Sequence, residues 1–324
     1  MKVVAYSIKP FEKEVLVKAN KKKHDITLIS NALSLETADY AEGKDAVVVF
    51  TNDDVSALVI NRLADLGIKY IATRSVGTDH IDIEAAYKTG ISLANVPTYS
   101  PQAIAEHAIA LALSLNRHLI QADEHSHNFD FKLDGLTGFN FYGKTVGLIG
   151  LGNIGQAIAA IFNGFGCRVI GYDVANLVNL AEIELLSFDE VLRQADILSL
   201  HVPLTPATKY MINAASMAIM KKGVMLINTS RGGLLKTIDI IEALEQGKIG
   251  YLGIDVYEHE KNLFFEDHQN DRNKDLLLQR LMTYPNVLVT PHQSFLTHEA
   301  LQQIADRTIK NLDLWQKDKV VAST

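Results

Sequence analysis

The stretch that most constrains this chain is residues 143–173, GKTVGLIGLGNIGQAIAAIFNGFGCRVIGYD. Residues 145–149 form a short apolar run, and Gly150, Gly152 and Gly155 follow in the spacing G-x-G-x-x-G. Ile154, Ile158, Ile161 and Phe165 then recur three or four apart, the period of a helix, and a second apolar run, 167–172, ends at Asp173. Strand, tight turn, helix and strand is the context in which a glycine triplet binds a dinucleotide. Gly150 is expected to permit the turn, Gly152 to let the backbone approach a pyrophosphate, and Gly155 to seat the helix close on the sheet. The helix N-terminus offers unpaired N–H groups and a partial positive charge to the phosphates. Asp173, 18 residues past Gly155, is placed to accept hydrogen bonds from an adenosine ribose. A 2′-phosphate there would meet a like charge, and residues 172–176 hold no Arg or Lys to relieve it, which favours NAD over NADP. The plainer reading, a glycine-rich turn in an ordinary α/β domain, explains the triplet but not its agreement with the flanks and the distal acid.

At 324 residues, nearly half of them apolar, the chain has material for about two domains with real cores. The formal charge of −7 is spread along the chain without a basic stripe, so no nucleic-acid partner is expected and any anion site must be local. The single cysteine, Cys167, supports neither an intrachain disulfide nor a cysteine-based zinc site and reads as a small buried hydrophobe. The N-terminal apolar run is too short for a signal peptide, and no run of 18 or more apolar residues appears. A cytoplasmic protein without a membrane span is the expectation.

Taken in order, residues 2–6, 26–29, 46–50, 70–73 and 91–96 read as strands, with helices at 11–19, 55–64 and 83–87. The continuous run Val47, Val48, Val49 suits a parallel strand covered on both faces. Ser100 and Pro101 are a good N-cap and first helical residue for a long helix over 102–118 whose alanines favour close packing, expected to lie between domains. Residues 125–140 read as polar and irregular at first. Beyond Asp173 the βα rhythm continues with strands at 197–201, 224–228, 251–256 and 287–290. Helices are expected at 188–193, 209–212, 214–220, 237–246 and 297–315. The fold class expected is α/β: two Rossmann-like, doubly wound parallel-sheet domains with a cleft between them.

Ligands of such sheets bind beyond the C-terminal strand ends, which directs attention to the residues standing there. Strand 224–228 is followed by Thr229, Ser230, Arg231, Gly232 and Gly233. The glycines are expected to let the chain turn sharply and Arg231 project, as a carboxylate clamp or as a surface arginine in a salt bridge. Strand 251–256 ends near Asp255, Glu258 and Glu260, an acidic loop that reads as solvated for most of those residues. Strand 287–290 ends at Pro291 and His292, one of eleven histidines but one placed to act as an acid or base near neutral pH. Hydride transfer between a nicotinamide and a carbonyl needs a carboxylate clamp, a proton donor at the oxygen and a fixed cofactor, and Arg231, His292 and the glycine turn can supply them. Other constellations are weaker. His125 and His127 have too few companions for a metal, Glu106 and His107 form no H-E-x-x-H pattern, no G-x-S-x-G elbow occurs, Asp53 and Asp54 read as a helix start, and Trp315 reads as packing.

The segments TRSVGTDHID, NVPTYSPQAIAEHAIAL, GLTGFNFYGKTVGLIGLGNIG, LHVPLTPATKYMI, NTSRGGLL, GIDVYEHEKNLFFED and NVLVTPHQSFLTHEAL, in this order, make the chain resemble the D-isomer-specific 2-hydroxyacid dehydrogenases along nearly its whole length. Within them it is most similar to the fermentative NAD-dependent D-lactate dehydrogenases of bacteria. The resemblance implies that Arg231 holds the 2-oxo acid carboxylate, His292 is the general acid–base and Glu260 orients it. It implies that Asp255 tunes the site near the nicotinamide and that the backbone at Val76 and Gly77 gives a second hold on the carboxylate. Phe50, Tyr99 and Phe295 become walls around the substrate methyl group. Gly150, Gly152, Asn153, Ile154, Gly155 and Asp173, the turn His201, Val202, Pro203, and Thr229, Ser230, Arg231, with Asp255 and His292, become the NAD site, with no metal. The implied activity is reversible reduction of pyruvate to D-lactate by NADH. The implied domains are 1–99 with 299–324 for the substrate and 100–298 for NAD. The implied assembly is a homodimer or homotetramer through the dinucleotide-binding lobe and the long helix.

Two residues depart from the usual pattern: His80 where an asparagine is common, and Lys236 where an aspartate follows the RGG turn. Neither is a catalytic position. The alternatives within the family are a branched 2-oxo acid, glyoxylate, hydroxypyruvate or a phosphorylated acid as substrate, since a methylene is worth only about 1–3 kcal/mol in such a pocket. The alternative outside enzymology is an NAD-sensing interaction protein, which need not keep arginine, glutamate and histidine together as this chain does.

Overall fold

The computed structural model describes residues 1–175, 180, 182–261, 263–272 and 274–322. The chain divides into two compact units, Met1–Ser100 with the segment from Leu296 onward, and Pro101–Phe295.

The first unit carries β1 (Lys2–Ala5), α1 (Pro10–Asn20), β2 (Asp25–Leu28), β3 (Ala46–Val49), α2 (Ala57–Asp65), β4 (Tyr70–Thr73), α3 (Ile83–Thr89) and β5 (Ser92–Ala94). The strands are all parallel in the order β2-β1-β3-β4-β5. Fully buried β3, with Val47, Val48 and Val49 at its centre, shows why the apolar run is unbroken: helices cover both faces. Asp82 caps α3 by accepting from Ala85 N, and Gly90 ends it in the left-handed region at φ 74°. The C-terminal helix, His298–Ala322, packs on α1 and β4 of this unit, and Trp315 stacks on Tyr70 with ring centroids 4.8 Å apart. Asp53 does not begin a helix. It is buried and accepts from Ser7 Oγ, Leu33 N and Phe50 N, while Ser56 is the N-cap of α2.

The second unit opens with α4 (Pro101–Asn116) and α5 (Leu119–His127), followed by β6 (Thr145–Ile149), α6 (Asn153–Gly164), β7 (Arg168–Tyr172), β8 (Glu184–Leu185), α7 (Phe188–Gln194), β9 (Ile197–Leu200), α8 (Ala214–Ile219), β10 (Val224–Asn228), α9 (Thr237–Glu245), β11 (Ile249–Ile254), α10 (Leu276–Met282) and β12 (Val287–Val289). Its sheet is parallel throughout, in the order β12-β11-β10-β9-β6-β7-β8. The strand order therefore reverses between β6 and β9, and the crevice beyond their C-terminal ends is where a doubly wound sheet binds its ligand. Helix α4 packs on α6 and β11 through Ala105, Ala108 and Ala112.

Residues 209–212 are not a helix. They belong to a run of turns in which Tyr210 N donates to Gly233 O and Ile212 N to Leu234 O. The backbone donors that a helix needs internally are spent on the segment after β10. Helices α10 and α5 are elements that the sequence pattern does not assign. Leu278 and Leu281 are buried in α10 while Leu276 and Met282 are exposed, and Asp275 caps it by accepting from Leu278 N. Cys167 is buried one residue before β7, its Sγ 3.2 Å from Phe141 O, and burial pushes its thiol up.

Candidate active site

The turn after β6 is made possible by missing side chains. Gly150 has φ 95°, a region L-residues avoid, and a Cβ there would lie 2.4 Å from His201 O. At Gly155 a Cβ would lie 2.1 Å from Gly150 O, so the first turn of α6 sits against the loop that precedes it. Gly152 is different: a Cβ there would meet nothing within 4 Å, and it is the N-cap of α6 without any side-chain hydrogen bond. The N–H groups at the head of α6, those of Asn153 and Ile154 among them, thus have a helix dipole behind them and no capping side chain across them, which fits a pyrophosphate. Asp173, just past β7, ties the site together. Its Oδ2 accepts from Leu151 N at 2.7 Å and its Oδ1 from Ala175 N at 2.9 Å, and each oxygen keeps a further lone pair for a ribose hydroxyl. Asn176, the last residue of the sequence window around it, lies outside the described residues.

His201, Val202 and Pro203 leave β9 across the strand-order reversal from the glycine turn. Burial pushes the His201 imidazole down to about 3, so it is neutral at working pH, and its Nε2 lies 2.8 Å from Ser199 Oγ. Val202 O accepts from Ser230 Oγ at 2.6 Å, which joins this turn to the one after β10. Thr229 is buried beside it, and its Oγ1 has no hydrogen-bond partner.

The Arg231 turn is shaped by a residue the sequence reading passed over. Asn228, wholly buried at the end of β10, donates from Nδ2 to Arg231 O at 2.9 Å and accepts at Oδ1 from Ser230 N at 3.0 Å. The expected reason for the glycines needs correction: neither Gly232 nor Gly233 has positive φ. Gly232 is required by proximity, since a Cβ would stand 2.0 Å from the Tyr257 carbonyl carbon. The turn carrying Arg231 therefore packs directly on the turn carrying Glu260. Glu258, expected to be solvated, reinforces the contact by accepting from Thr237 N at 2.9 Å. Lys236 pairs with Asp239 at 3.0 Å, a local surface contact.

Glu260 and His292 meet. Glu260 Oε2 accepts from Tyr257 N at 2.9 Å, which aims Oε1 at His292 Nδ1, also at 2.9 Å. Both side chains are largely buried, and the Phe265 ring lies 5.8 Å from the imidazole, centroid to centroid. With Nδ1 committed to the carboxylate, Nε2 is the atom left for proton transfer. His292 has φ 54°, a left-handed conformation that costs an L-residue roughly 1–2 kcal/mol. What holds it is Asp255, the residue assigned to tuning the site, which is wholly buried with its carboxylate turned to the backbone beneath His292. Its oxygens accept from Thr290 Oγ1 at 2.6 Å, Gln293 N at 2.8 Å and Ser294 N at 2.8 Å. Phe295, next along, is buried.

The residues assigned to the substrate in the first unit follow the C-terminal ends of β3, β4 and β5. Val76 O accepts from Asn95 Nδ2 at 2.8 Å and Gly77 O from Ser75 Oγ at 2.7 Å, which fixes how these two peptides face. Phe50 follows β3; its N donates to Asp53 at 2.6 Å and the Arg74 guanidinium stands 5.4 Å over its ring. Arg74 is itself buried against Glu12, at 2.9 Å. Tyr99 is half-buried.

Residues 109–294 match the family described as D-isomer specific 2-hydroxyacid dehydrogenase, NAD binding domain. The chain is 42% identical to a D-lactate dehydrogenase of Escherichia coli over 320 residues, 98% of this chain and 97% of that one. Among solved structures it is similar to a pyruvate reductase of Chlamydomonas reinhardtii, with TM-score 0.91, 42% identity and 98% and 97% of the two chains covered. It is also similar to a D-lactate dehydrogenase of Aquifex aeolicus complexed with NAD and lactic acid, with TM-score 0.89, 31% identity and 98% and 96% covered.

Proposed function

Since the chain belongs to the D-isomer-specific 2-hydroxyacid dehydrogenases, NAD-dependent oxidoreductases acting on the CH–OH group, we propose that its reaction is the reversible reduction of pyruvate to D-lactate. The observation that supports a working enzyme is the 2.9 Å pairing of Glu260 with His292, on a turn packed against the one that carries Arg231. NADH, when bound, supplies the hydride. The head of α6 and Asp173 would hold its pyrophosphate and adenosine ribose, with the turns at His201, Val202, Pro203 and at Thr229, Ser230 completing the site.

Arg231 grips the substrate carboxylate with its guanidinium fork. The backbone at Val76 and Gly77 is our second assignment for that carboxylate. Phe50, Tyr99 and Phe295 are assigned to the substrate methyl group. His292, as imidazolium, gives its Nε2 proton to the C2 oxygen while Glu260 fixes the ring and its tautomer. In the other direction neutral Nε2 takes the hydroxyl proton. Positive charge from Arg231 and the imidazolium stabilises the developing alkoxide.

The test is NADH oxidation across a panel of 2-oxo acids with chiral analysis of the products. Pyruvate as best substrate, giving D-lactate, is expected. A branched or phosphorylated acid turned over faster would move the substrate assignment, and tight NADH binding without turnover of any acid would leave the sensing reading.

For assembly we propose a homodimer or homotetramer. Helix α5 buries none of its residues, Leu119, Ile120, Leu133 and Tyr142 are exposed in the same segment, and Phe129, 86% exposed, meets Phe131 edge to face. So many exposed apolar side chains in one segment call for a covering partner, and a second copy is the occupant that supplies matching apolar surface by symmetry. Sedimentation of the native chain against a Phe131→Glu variant tests this: a monomeric native protein would refute it. No helix among the described residues is long and apolar enough to cross a membrane. With one buried free thiol and no disulfide, we assign the protein to the cytoplasm.

A further inference from the structure

The turn 290–294 hangs from Asp255, and among the described residues Asp255 has one side-chain partner outside that turn. His107, on α4, places Nε2 3.0 Å from Thr290 Oγ1 and 3.4 Å from Asp255 Oδ1. The direction of these bonds follows from charge. Burial pushes the Asp255 carboxyl up, but hydrogen bonds from His107, Thr290 and Gln293 N outweigh burial and hold it below the usual carboxylate range. An ionised carboxylate only accepts, so the Thr290 hydroxyl donates to it at 2.6 Å. That leaves the Thr290 oxygen to accept from His107, and Nε2 carries the hydrogen.

We propose that His107 is a positioning residue for the catalytic histidine: its Nε2–H completes the Thr290–Asp255 node from which the left-handed His292 turn is suspended. This rests on the assignment of His292 as acid–base. The sequence placed His107 in a helix without metal-ligand spacing, and its use lies in a bond to a residue 183 positions away. Losing the donor leaves the Asp255 node one bond short and lets the imidazole drift from the reacting oxygen. Misplacement by about 1 Å can cost on the order of 100-fold in rate. Substrate and cofactor affinity are set by other groups, so the loss falls on kcat.

The experiment compares His107→Leu, without a donor, and His107→Gln, whose amide N–H reaches to a similar depth. Each variant is read for kcat, KM for pyruvate, NADH affinity by fluorescence, and the primary isotope effect with NADH deuterated at the transferred position. His107→Leu is expected to lower kcat roughly 10- to 100-fold, to leave NADH affinity within about twofold and to raise the isotope effect. His107→Gln is expected to restore kcat to within about threefold. Wild-type kcat in His107→Leu, or a Gln variant as impaired as the Leu variant, would overturn the proposal. Should His107→Leu fail to fold, Thr290→Val against Thr290→Ser is read the same way, with wild-type kcat in the valine variant as the refuting result. His292→Ala keeps the two readings apart. If that variant turns over normally, the assignment of His292 itself falls; if it is inactive while His107→Leu is normal, only the positioning role falls.

Discussion

The turn after β6 and the turn after β12 belong to one sheet and are built on opposite terms. The first is specified chiefly by glycines within six residues of one another, whose missing side chains admit a carbonyl, a helix and open space, with a single side-chain bond from farther along, Leu151 N to Asp173. The second borrows its shape. Asp255 lies 35 residues before Thr290, Glu260 32 before His292 and His107 183 before Thr290. A turn made by removing atoms is written where it stands, whereas a turn made by adding hydrogen bonds is written elsewhere in the chain. The two should therefore fail differently: the first by losing cofactor affinity, the second by losing rate.

The largest expected effect is on rate. His292→Ala should lower kcat by about 1,000-fold, within the usual range for an acid–base group, while NADH affinity by fluorescence titration stays near wild type. An equal loss of NADH affinity would show that the histidine turn is part of the cofactor scaffold and would erase the contrast. Next comes the glycine turn, where two substitutions of the same size should part company. Gly155→Ala brings a methyl to 2.1 Å from Gly150 O and should lower the melting temperature and weaken NADH binding at least tenfold. Gly152→Ala meets no protein atom within 4 Å, so the melting temperature should hold while NADH affinity falls about tenfold. Equal melting behaviour in the two variants would mean that Gly152 serves the fold rather than the ligand. Third, Glu260→Gln keeps an amide beside His292 Nδ1 but removes the charge. A fall in kcat of about tenfold with unchanged NADH affinity is expected, below the cost of losing the imidazole itself.

The same distinction accounts for what the sequence revealed. The alternation of parallel strands and helices, the glycine turn and Asp173 were all legible, because each is a local pattern of side-chain size or polarity. Arg231 and His292 were visible only as residues standing at strand ends, and Glu260 needed the likeness to known dehydrogenases, since an acid in an acidic loop carries no mark of its partner. Asn228, Thr290 and His107 went unassigned because their roles are bonds to backbone or side chains distant in sequence or hidden at a strand end. Asp53 departs from its sequence pattern for a related reason. An aspartate before a helical pattern is a common N-cap, but here three inward donors, Ser7 Oγ, Leu33 N and Phe50 N, outcompete the helix. The misplaced helix at 209–212 fits too: its period was acceptable, but its donors were needed by Gly233 and Leu234.

The smallest predicted effect carries the contrast into the first unit, where His24 is a borrowed contact between the two ends of the chain. Its side chain is fully buried, with Nδ1 3.5 Å from the Met1 amine and Nε2 3.1 Å from Asp313 on the C-terminal helix. Burial first, and then the charges of the Met1 amine and Lys23, hold its pKa below the usual 6.5 despite the opposing pull of Asp313. A folded-state pKa lower than that of the unfolded chain means that the neutral ring's contribution is complete above about pH 6.5 and is lost as pH falls toward the folded value. Asp313 is held below its usual 3.8, mainly by Lys23 against the effect of burial, and so stays ionised over the same interval. His24→Gln keeps a donor for Asp313 and cannot titrate. Between pH 7 and pH 5 the melting temperature of the native chain should therefore fall more steeply than that of the variant, the difference bounded by about 1.4 kcal/mol per pH unit for one proton. If the two slopes are equal, the histidine takes up its proton without opening the contact between the chain ends. In that case the burial seen here does not govern its titration, and the long-range contact is as indifferent to pH as the glycine turn.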